Sequence, residues 1–303
     1  AKMLSHHLGQ YIPGKPGIIL QHMPGDGSLK AYNFLYTVAA KDGTAFGTGH
    51  RFVPILPLFD IKGTRFDGRK FKYVGSINKE VGVTIAWHTT PFKTFDDVLK
   101  REMVVGTTGW GIQITNFTSV FKVALGAKFK VITGYGGTRA INLAIERGEV
   151  QGRVGMPWSL LKYTKADWLR DNKIRILMQM GLRRHRELPN VPNILDVVKP
   201  KLDRSAIKLL LGPSDMGRPF LAPPGIPHDR LTALRRAFNK TMRDAGFKAE
   251  AAKYRMGINP MTGSEVQNLI ARLYLSSSKE VIARAKVLTA QGFSRKSRNK
   301  KNK

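Results

Sequence analysis

The sequence predicts an α/β protein of two lobes, each with a mostly parallel sheet flanked by helices. The chain has 303 residues, which is enough for two domains of ordinary size. Its apolar content of 42% can fill two cores. Short apolar segments, glycine-rich turns and amphipathic segments alternate along most of the chain, as in parallel strand–turn–helix units.

The first series of elements begins at Gly17. Residues 17–21 are rich in β-branched side chains and predict a strand. The glycines of 24–28 predict a turn, and the apolar spacing of 29–39 predicts a helix. A second short strand is expected near 45–49. This series therefore predicts strand, helix and strand in the N-terminal part of lobe 1.

The second series begins at Pro91. Thr94 has an acidic residue, Asp97, three positions later, and this spacing predicts a capped helix start. Alternating apolar and glycine-rich segments then continue as far as Met180. The expected strands are 103–105, 128–133 and 174–180, and the expected helices are 114–125 and 138–147.

A proline-rich segment, 219–227, marks the return of the chain to lobe 1. It is expected to be extended, and the amphipathic segment 229–244 after it predicts a helix. A further helix is expected at 264–275, with Ser264 and Gln267 in capping-box spacing. The expected division is lobe 1 at 1–89 and 221–303, and lobe 2, with anion-binding loops, at 90–220.

The charge of the chain predicts an anionic partner. The sequence has 51 Lys and Arg against 21 Asp and Glu, a formal net charge of +30. The segment 294–303 is strongly basic and is expected to be a disordered tail. The alternative function that this charge leaves open is a nucleic-acid or anionic-surface binding protein.

Several chemistries lack their sequence signatures. The chain has no cysteine, which excludes disulfides, thiolate metal sites and cysteine nucleophiles. Its seven histidines have no metal-site spacing, and no serine lies in a G-x-S-x-G motif. No apolar run approaches the roughly 18 residues of a membrane span. We therefore expect no enzyme, no metal and no cofactor.

Two glycine-rich turns, 106–111 and 134–138, are the strongest candidates for a binding site. Each follows an expected strand and precedes an expected helix. Free N–H groups at a helix start favour an anion. Neither turn has the nucleotide-binding spacings G-x-G-x-x-G or G-x-x-x-x-G-K-[ST]. The glycines are equally compatible with tight turns that bind nothing.

Seven short segments give the sequence a family resemblance over about residues 4–285. Together they resemble the extracytoplasmic substrate-binding proteins of tripartite tricarboxylate transporters, also called the Bug family. The segments begin, in order, at His22 (HMPGDGS), Lys41 (KDGT), Gly106 (GTTGWG), Lys128 (KFKVITGYGGT), Glu146 (ERGEV), Leu188 (LPNVP) and Gly217 (GRPFLAPPGIP).

The resemblance implies a two-lobed periplasmic binding protein of the type II-like flytrap kind. Such a protein closes on a small organic carboxylate and presents it to a membrane permease, and a monomer without enzymatic activity is implied. In that family, backbone amides and hydroxyls of strand-to-helix loops hold the carboxylate. The matching positions are Thr107, Thr108, Gly109, Gln113, Tyr135, Gly136, Gly137 and Thr138.

The sequence departs from the family pattern in three places. Family members begin with a strand and a glycine-rich loop that bears an aspartate, so we expect the chain to be N-terminally incomplete. Asp26 and Gln113 stand where small or hydroxyl residues are frequent. No export signal is recognisable in this chain, while the resemblance implies a periplasmic location.

Overall fold

The structure is a computed structural model, and it describes residues 1–107 and 117–290. The strands are β1 (Gly47–Thr48), β2 (Lys72–Ser76), β3 (Gly82–Trp87), β4 (Met103–Gly106), β5 (Phe129–Ile132), β6 (Gly152–Pro157), β7 (Ile174–Met180), β8 (Pro219–Ala222) and β9 (Met261–Thr262). The helices are α1 (Lys2–Leu8), α2 (Leu29–Thr37), α3 (Phe95–Lys100), α4 (Phe117–Leu125), α5 (Thr138–Glu146), α6 (Trp158–Thr164), α7 (Ala166–Arg170), α8 (Ile194–Val197), α9 (Lys201–Asp215), α10 (His228–Thr241), α11 (Ala245–Lys253), α12 (Gly263–Leu275) and α13 (Lys279–Ala290), with short 3-10 turns at Gly9–Tyr11, Asp26–Ser28 and Val53–Phe59.

The internal contacts divide the chain into two compact units. Unit 1 comprises Ala1–Val81, Trp158–Lys165 and Leu211–Ser277, and unit 2 comprises Gly82–Pro157, Ala166–Leu210 and the residues from Ser278 onward. These units differ from the predicted lobes because a helix belongs to the unit it packs against, which need not be its neighbour in sequence. For example, α13 packs on α4 and therefore belongs to unit 2. The predicted lobe limits, 1–89 with 221–303 and 90–220, stay a prediction.

Unit 1 contains an antiparallel sheet with the strand order β1-β8-β2-β9. The expectation of a mostly parallel sheet is therefore wrong here. No single crossover helix joins β8 to its neighbours, so the alternation of elements did not fix its direction. The core beside this sheet contains Val74 and Phe220 from strands and Leu234 and Phe238 from α10.

The predicted strand at 17–21 is also wrong. These residues have no regular secondary structure, and the side chain of Ile19 is 88% exposed. β-Branched residues favour a strand only when a neighbouring strand pairs with them. The strand expected near 45–49 is present only as the short β1.

Unit 2 contains a mixed sheet with the strand order β5-β4-β6-β3-β7. β4 is parallel to both β5 and β6, whereas β3 is antiparallel to both β6 and β7. The parallel part is the part that strand–turn–helix units build. Because parallel strands end at the same edge, the residues that follow β4 and β5 begin side by side.

Helix starts show where local sequence rules succeed and fail. Thr94 and Asp97 form the predicted capping box at the start of α3. The capping box of α12 is formed by Thr262 and Glu265, so the predicted pair at Ser264 is wrong. α12 begins one residue earlier than expected, which puts a carboxylate at the N-terminal turn, where the helix dipole favours it.

The remaining features of the fold are the proline-rich segment and the apolar character of the helices. The segment 219–227, expected to be extended, begins with the strand β8 in the sheet of unit 1. Among the described residues, no helix combines the length and the apolar character that crossing a membrane needs.

Candidate functional site

The ends of β4 and β5 bring the two predicted loops together. Gly106 lies opposite Ile132 in the parallel ladder, and the N–H of Thr107 donates to the carbonyl of Ile132 at 2.9 Å. Thr107 is therefore fixed at the point where β4 ends. The second loop starts directly after Ile132 on the neighbouring strand, so both begin at one edge of the sheet.

Gly106 permits the second loop to approach β4 closely. A Cβ atom at this position would lie 3.2 Å from Cε2 of Tyr135 and 3.1 Å from Cγ2 of Ile141. These distances are tighter than ordinary contact, so a larger residue would push the loop and α5 away. Tyr135 is half-buried, and its pKa is raised by desolvation and, to a smaller extent, by the charge of Glu149.

Within 1–107 and 117–290, the N-terminus of α5 has hydrogen-bond donors that meet no acceptor. The N-cap residue is Gly137, which makes no side-chain cap, and the first turn has no acidic residue. The N–H of Ile141 donates to Gly137, whereas no acceptor among the described residues meets the N–H groups of 138–140. Side chains added at Gly136 or Gly137 would meet no described atom within 4 Å. Among the described residues, the first turn therefore has donors without acceptors, as a helix start that can bind an anion does.

Gly137 has a backbone conformation that suits glycine. Its φ is 153° and its ψ is −178°, a region that other residues rarely adopt. The apolar face of α5, with Ile141 and Ile145, is buried, and this holds the helix in place. Together these features fix the first turn of α5 beside the end of β4.

Arg153 is a candidate site residue that the sequence analysis missed. It lies on β6 and is only 8% exposed. Its Nη1 donates to Oδ1 of Asn142 on α5 at 3.2 Å, and its Nε is buried with no partner among the described residues. Burial lowers its pKa to about 10. The available signal was an arginine within a short, otherwise uncharged strand segment, 150–158.

Unit 1 contains a half-buried arginine, Arg51, but its surroundings differ. Burial lowers the pKa of Arg51, and the nearby charge of Arg218 lowers it further. The charge of Glu80 acts in the opposite direction and so stabilises the cation. Arg51 therefore has a carboxylate of its own chain close by, and Arg153 is the better candidate for an external anion.

Five of the eight predicted site residues lie in the described part of the chain: Thr107, Tyr135, Gly136, Gly137 and Thr138. They all lie at the edge of the sheet where β4 and β5 end. Thr108, Gly109 and Gln113 lie outside the described residues. Within 1–107 and 117–290, no cluster of three His, Asp or Glu side chains could hold a metal ion.

Comparisons with known proteins show the fold. No protein-family profile matches the sequence, and no curated protein sequence matches it. Among solved structures, a TctC solute-binding protein from Polaromonas without ligand is similar with a TM-score of 0.71, 14% identity, and coverage of 95% of this chain and 91% of that one. An R. palustris protein with adipate has a TM-score of 0.63, 15% identity, and coverage of 95% and 91%.

MatC from Rhodopseudomonas palustris with bound malate is similar as well, with a TM-score of 0.58, 16% identity, and coverage of 95% of this chain and 92% of that one. The chain therefore has the α/β fold of these solute-binding proteins, and the predicted α/β fold class is confirmed, whereas the predicted mostly parallel direction of its strands is not. The descriptions of these structures name solute binding or a bound carboxylate, so the alternative of a nucleic-acid binder gains no support from them.

Proposed function

We propose that this protein is an extracytoplasmic solute-binding protein that captures a small organic carboxylate for a transporter of the tripartite tricarboxylate type. The observation that carries the proposal is the uncapped N-terminus of α5 beside the end of β4. An anion bound there accepts hydrogen bonds from donors that have no acceptor in the described part of the chain. The adipate and malate complexes of the similar structures support a carboxylate as that anion.

The binding groups follow from the two loops. Thr107 and Tyr135 line the start of each loop, while Gly136, Gly137 and Thr138 supply backbone N–H groups at the helix start, where Thr138 also supplies its hydroxyl. Thr108, Gly109 and Gln113 complete the proposed set from the other loop. These groups bind and orient the ligand without changing it, so the proposed role includes neither catalysis nor a cofactor.

The proposed partners and location come from the same resemblance. The protein acts as a monomer in the periplasm and delivers its ligand to the membrane permease subunits of the transporter. Similar structures described as a periplasmic transporter and a periplasmic binding protein support this location. A net charge of +30 raises the encounter rate with anionic solutes at low ionic strength.

Calorimetric titration of the full chain tests the proposal. The ligand panel contains dicarboxylates, including adipate and malate, tricarboxylates, aromatic acids and nicotinate. At least one of them is expected to bind with a stoichiometry near one. Binding of none would contradict the proposed function.

Variants of two threonines locate the binding. T138V removes the hydroxyl at the start of α5 and is expected to weaken carboxylate binding about tenfold, the typical effect of losing a hydrogen bond to a charged group. T232V removes the same group from an exposed position on α10, which belongs to neither loop, and is expected to leave the affinity unchanged. Equal affinities for T138V and the unmodified chain would place the carboxylate away from this helix start.

A further inference from the structure

Among the described residues, no acidic side chain pairs with Arg153. Its Nη1 donates to a neutral amide oxygen, that of Asn142, and its Nε has no partner among the described residues. Among the described residues, no Asp or Glu oxygen lies within 4.0 Å of its guanidinium nitrogens. Arg284 and Arg184, by contrast, each form an ion pair with an aspartate. Desolvation, with no opposing acidic charge, accounts for its lowered pKa.

The adjacent loop sequences do not supply the missing charge either. Between Glu102 and Glu146 the chain has no acidic residue at all. Both predicted loops, including the residues from 108 to 116, lie within this interval. A guanidinium removed from water without a carboxylate costs free energy. The chain itself therefore offers no anion from either loop to offset that cost.

Arg153 lies on the central strand β6, at the level where the neighbouring strand β4 ends. Gly152 is opposite Val105 in the parallel ladder between β6 and β4, so Arg153 follows at the level of Gly106. Asn142, its hydrogen-bond partner, lies one helical turn after Thr138 on α5. The guanidinium is therefore hydrogen-bonded to α5 one helical turn after Thr138, at the level where β4 ends.

We propose that Arg153 is the cation of an anion subsite formed with the N-terminus of α5, and that this subsite takes one carboxylate group of the ligand. This inference rests on the proposed function and adds to it that the bound group must carry a negative charge. A ligand whose carboxylate is replaced by a neutral amide is therefore expected not to bind at this subsite. The cost of burying Arg153 is offset only when the carboxylate is bound.

The test compares three proteins by thermal unfolding: the unmodified chain, R153M and R147M. Arg147 is the matched control, since it lies at the other end of α5 with 63% of its side chain exposed. Each protein is measured alone and with adipate, malate, sulfate and the neutral adipamide at one ionic strength. Calorimetry with the best ligand then gives the affinities.

The inference predicts a specific pattern of melting temperatures. Adipate or malate raises the Tm of the unmodified chain and of R147M, whereas R153M shows no shift and adipamide shifts none of them. R153M without ligand melts at or above the Tm of the unmodified chain, and its affinity falls at least about tenfold, as expected for a lost charged hydrogen bond. R153Q, which retains an amide donor, is expected to behave as R153M does.

Other outcomes overturn the inference in distinguishable ways. If R153M and R153Q bind the carboxylate as the unmodified chain does, Arg153 is not in the subsite and the proposed function stands. If both variants melt lower without ligand, Arg153 serves the stability of the fold and the inference is wrong. If sulfate alone shifts the unmodified chain and R147M, the anion subsite stands and the carboxylate function fails. If no anion shifts any protein, both fail.

Discussion

Unit 2 contains two buried charged groups with opposite arrangements. Asp203 on α9 is 6% exposed and receives two hydrogen bonds from Arg284 on α13, at 2.6 and 2.9 Å. The hydrogen bond to Asp203 raises the pKa of Arg284. Arg153 is as deeply buried, yet its described partner is a neutral amide.

This comparison indicates that the Asp203–Arg284 pair stabilises the fold, whereas the charge of Arg153 is available to bind an anion. The Asp203–Arg284 pair is complete within the chain, and it joins the start of α9 to α13. Arg153 has a donor without a partner among the described residues and lies on β6, at the level where β4 ends. Loss of either partner of the pair leaves the other charge buried and uncompensated, whereas Arg153 gains from an anion that comes from outside.

The largest predicted effect is on the complete pair. R284M leaves Asp203 buried without its cation, and the free energy of unfolding is expected to fall by about 2–3 kcal/mol, since breaking a buried pair leaves an uncompensated charge. Urea denaturation measures this change. R69M removes an arginine from an exposed pair with Asp67 and is expected to cost less than about 1 kcal/mol. A similar loss for R153M and R284M would remove the contrast between the two charges.

A smaller effect is expected from alanine substitutions at the two ends of α5. Gly137 before the helix and Gly148 after it both have positive φ, 153° and 73°, and both have open space around them. G137A and G148A are each expected to lower the free energy of unfolding by about 1–2 kcal/mol because alanine strains these conformations.

Only one of these two glycines lies at the candidate site. Calorimetry with adipate or malate is expected to show weaker binding by G137A, because a shifted first turn displaces the N–H groups. G148A is expected to bind as the unmodified chain does. Equal losses of affinity in the two variants would mean that binding follows general stability rather than the position of the helix start.

The sequence predicted well where local signals determine the structure. The strand at 174–180 has its predicted limits, and the capping box at Thr94 is present. The glycine-rich turn at 134–138 precedes α5 as expected, because glycines and the apolar face of the helix are neighbours in sequence. The start of α4 falls next to residues 108–116, so its predicted limit at 114 lies outside the described residues.

The predictions failed where distant segments determine the structure. Residues 17–21 have strand composition but no pairing strand, and composition carries no information about a partner. The antiparallel direction of β8 depends on β1 and β2, which are far away in sequence. Arg153 was missed for the same reason: its burial depends on Asn142 and on neighbouring strands that only the folded chain brings together.

A crystal structure of the full chain grown with adipate tests the central claim most directly. We expect one adipate carboxylate at the start of α5, with its oxygens about 2.7–3.1 Å from the N–H of Thr138 and from the guanidinium of Arg153. Adipate bound at another place, with the N–H groups at the start of α5 and Arg153 still without an anion, would contradict the account.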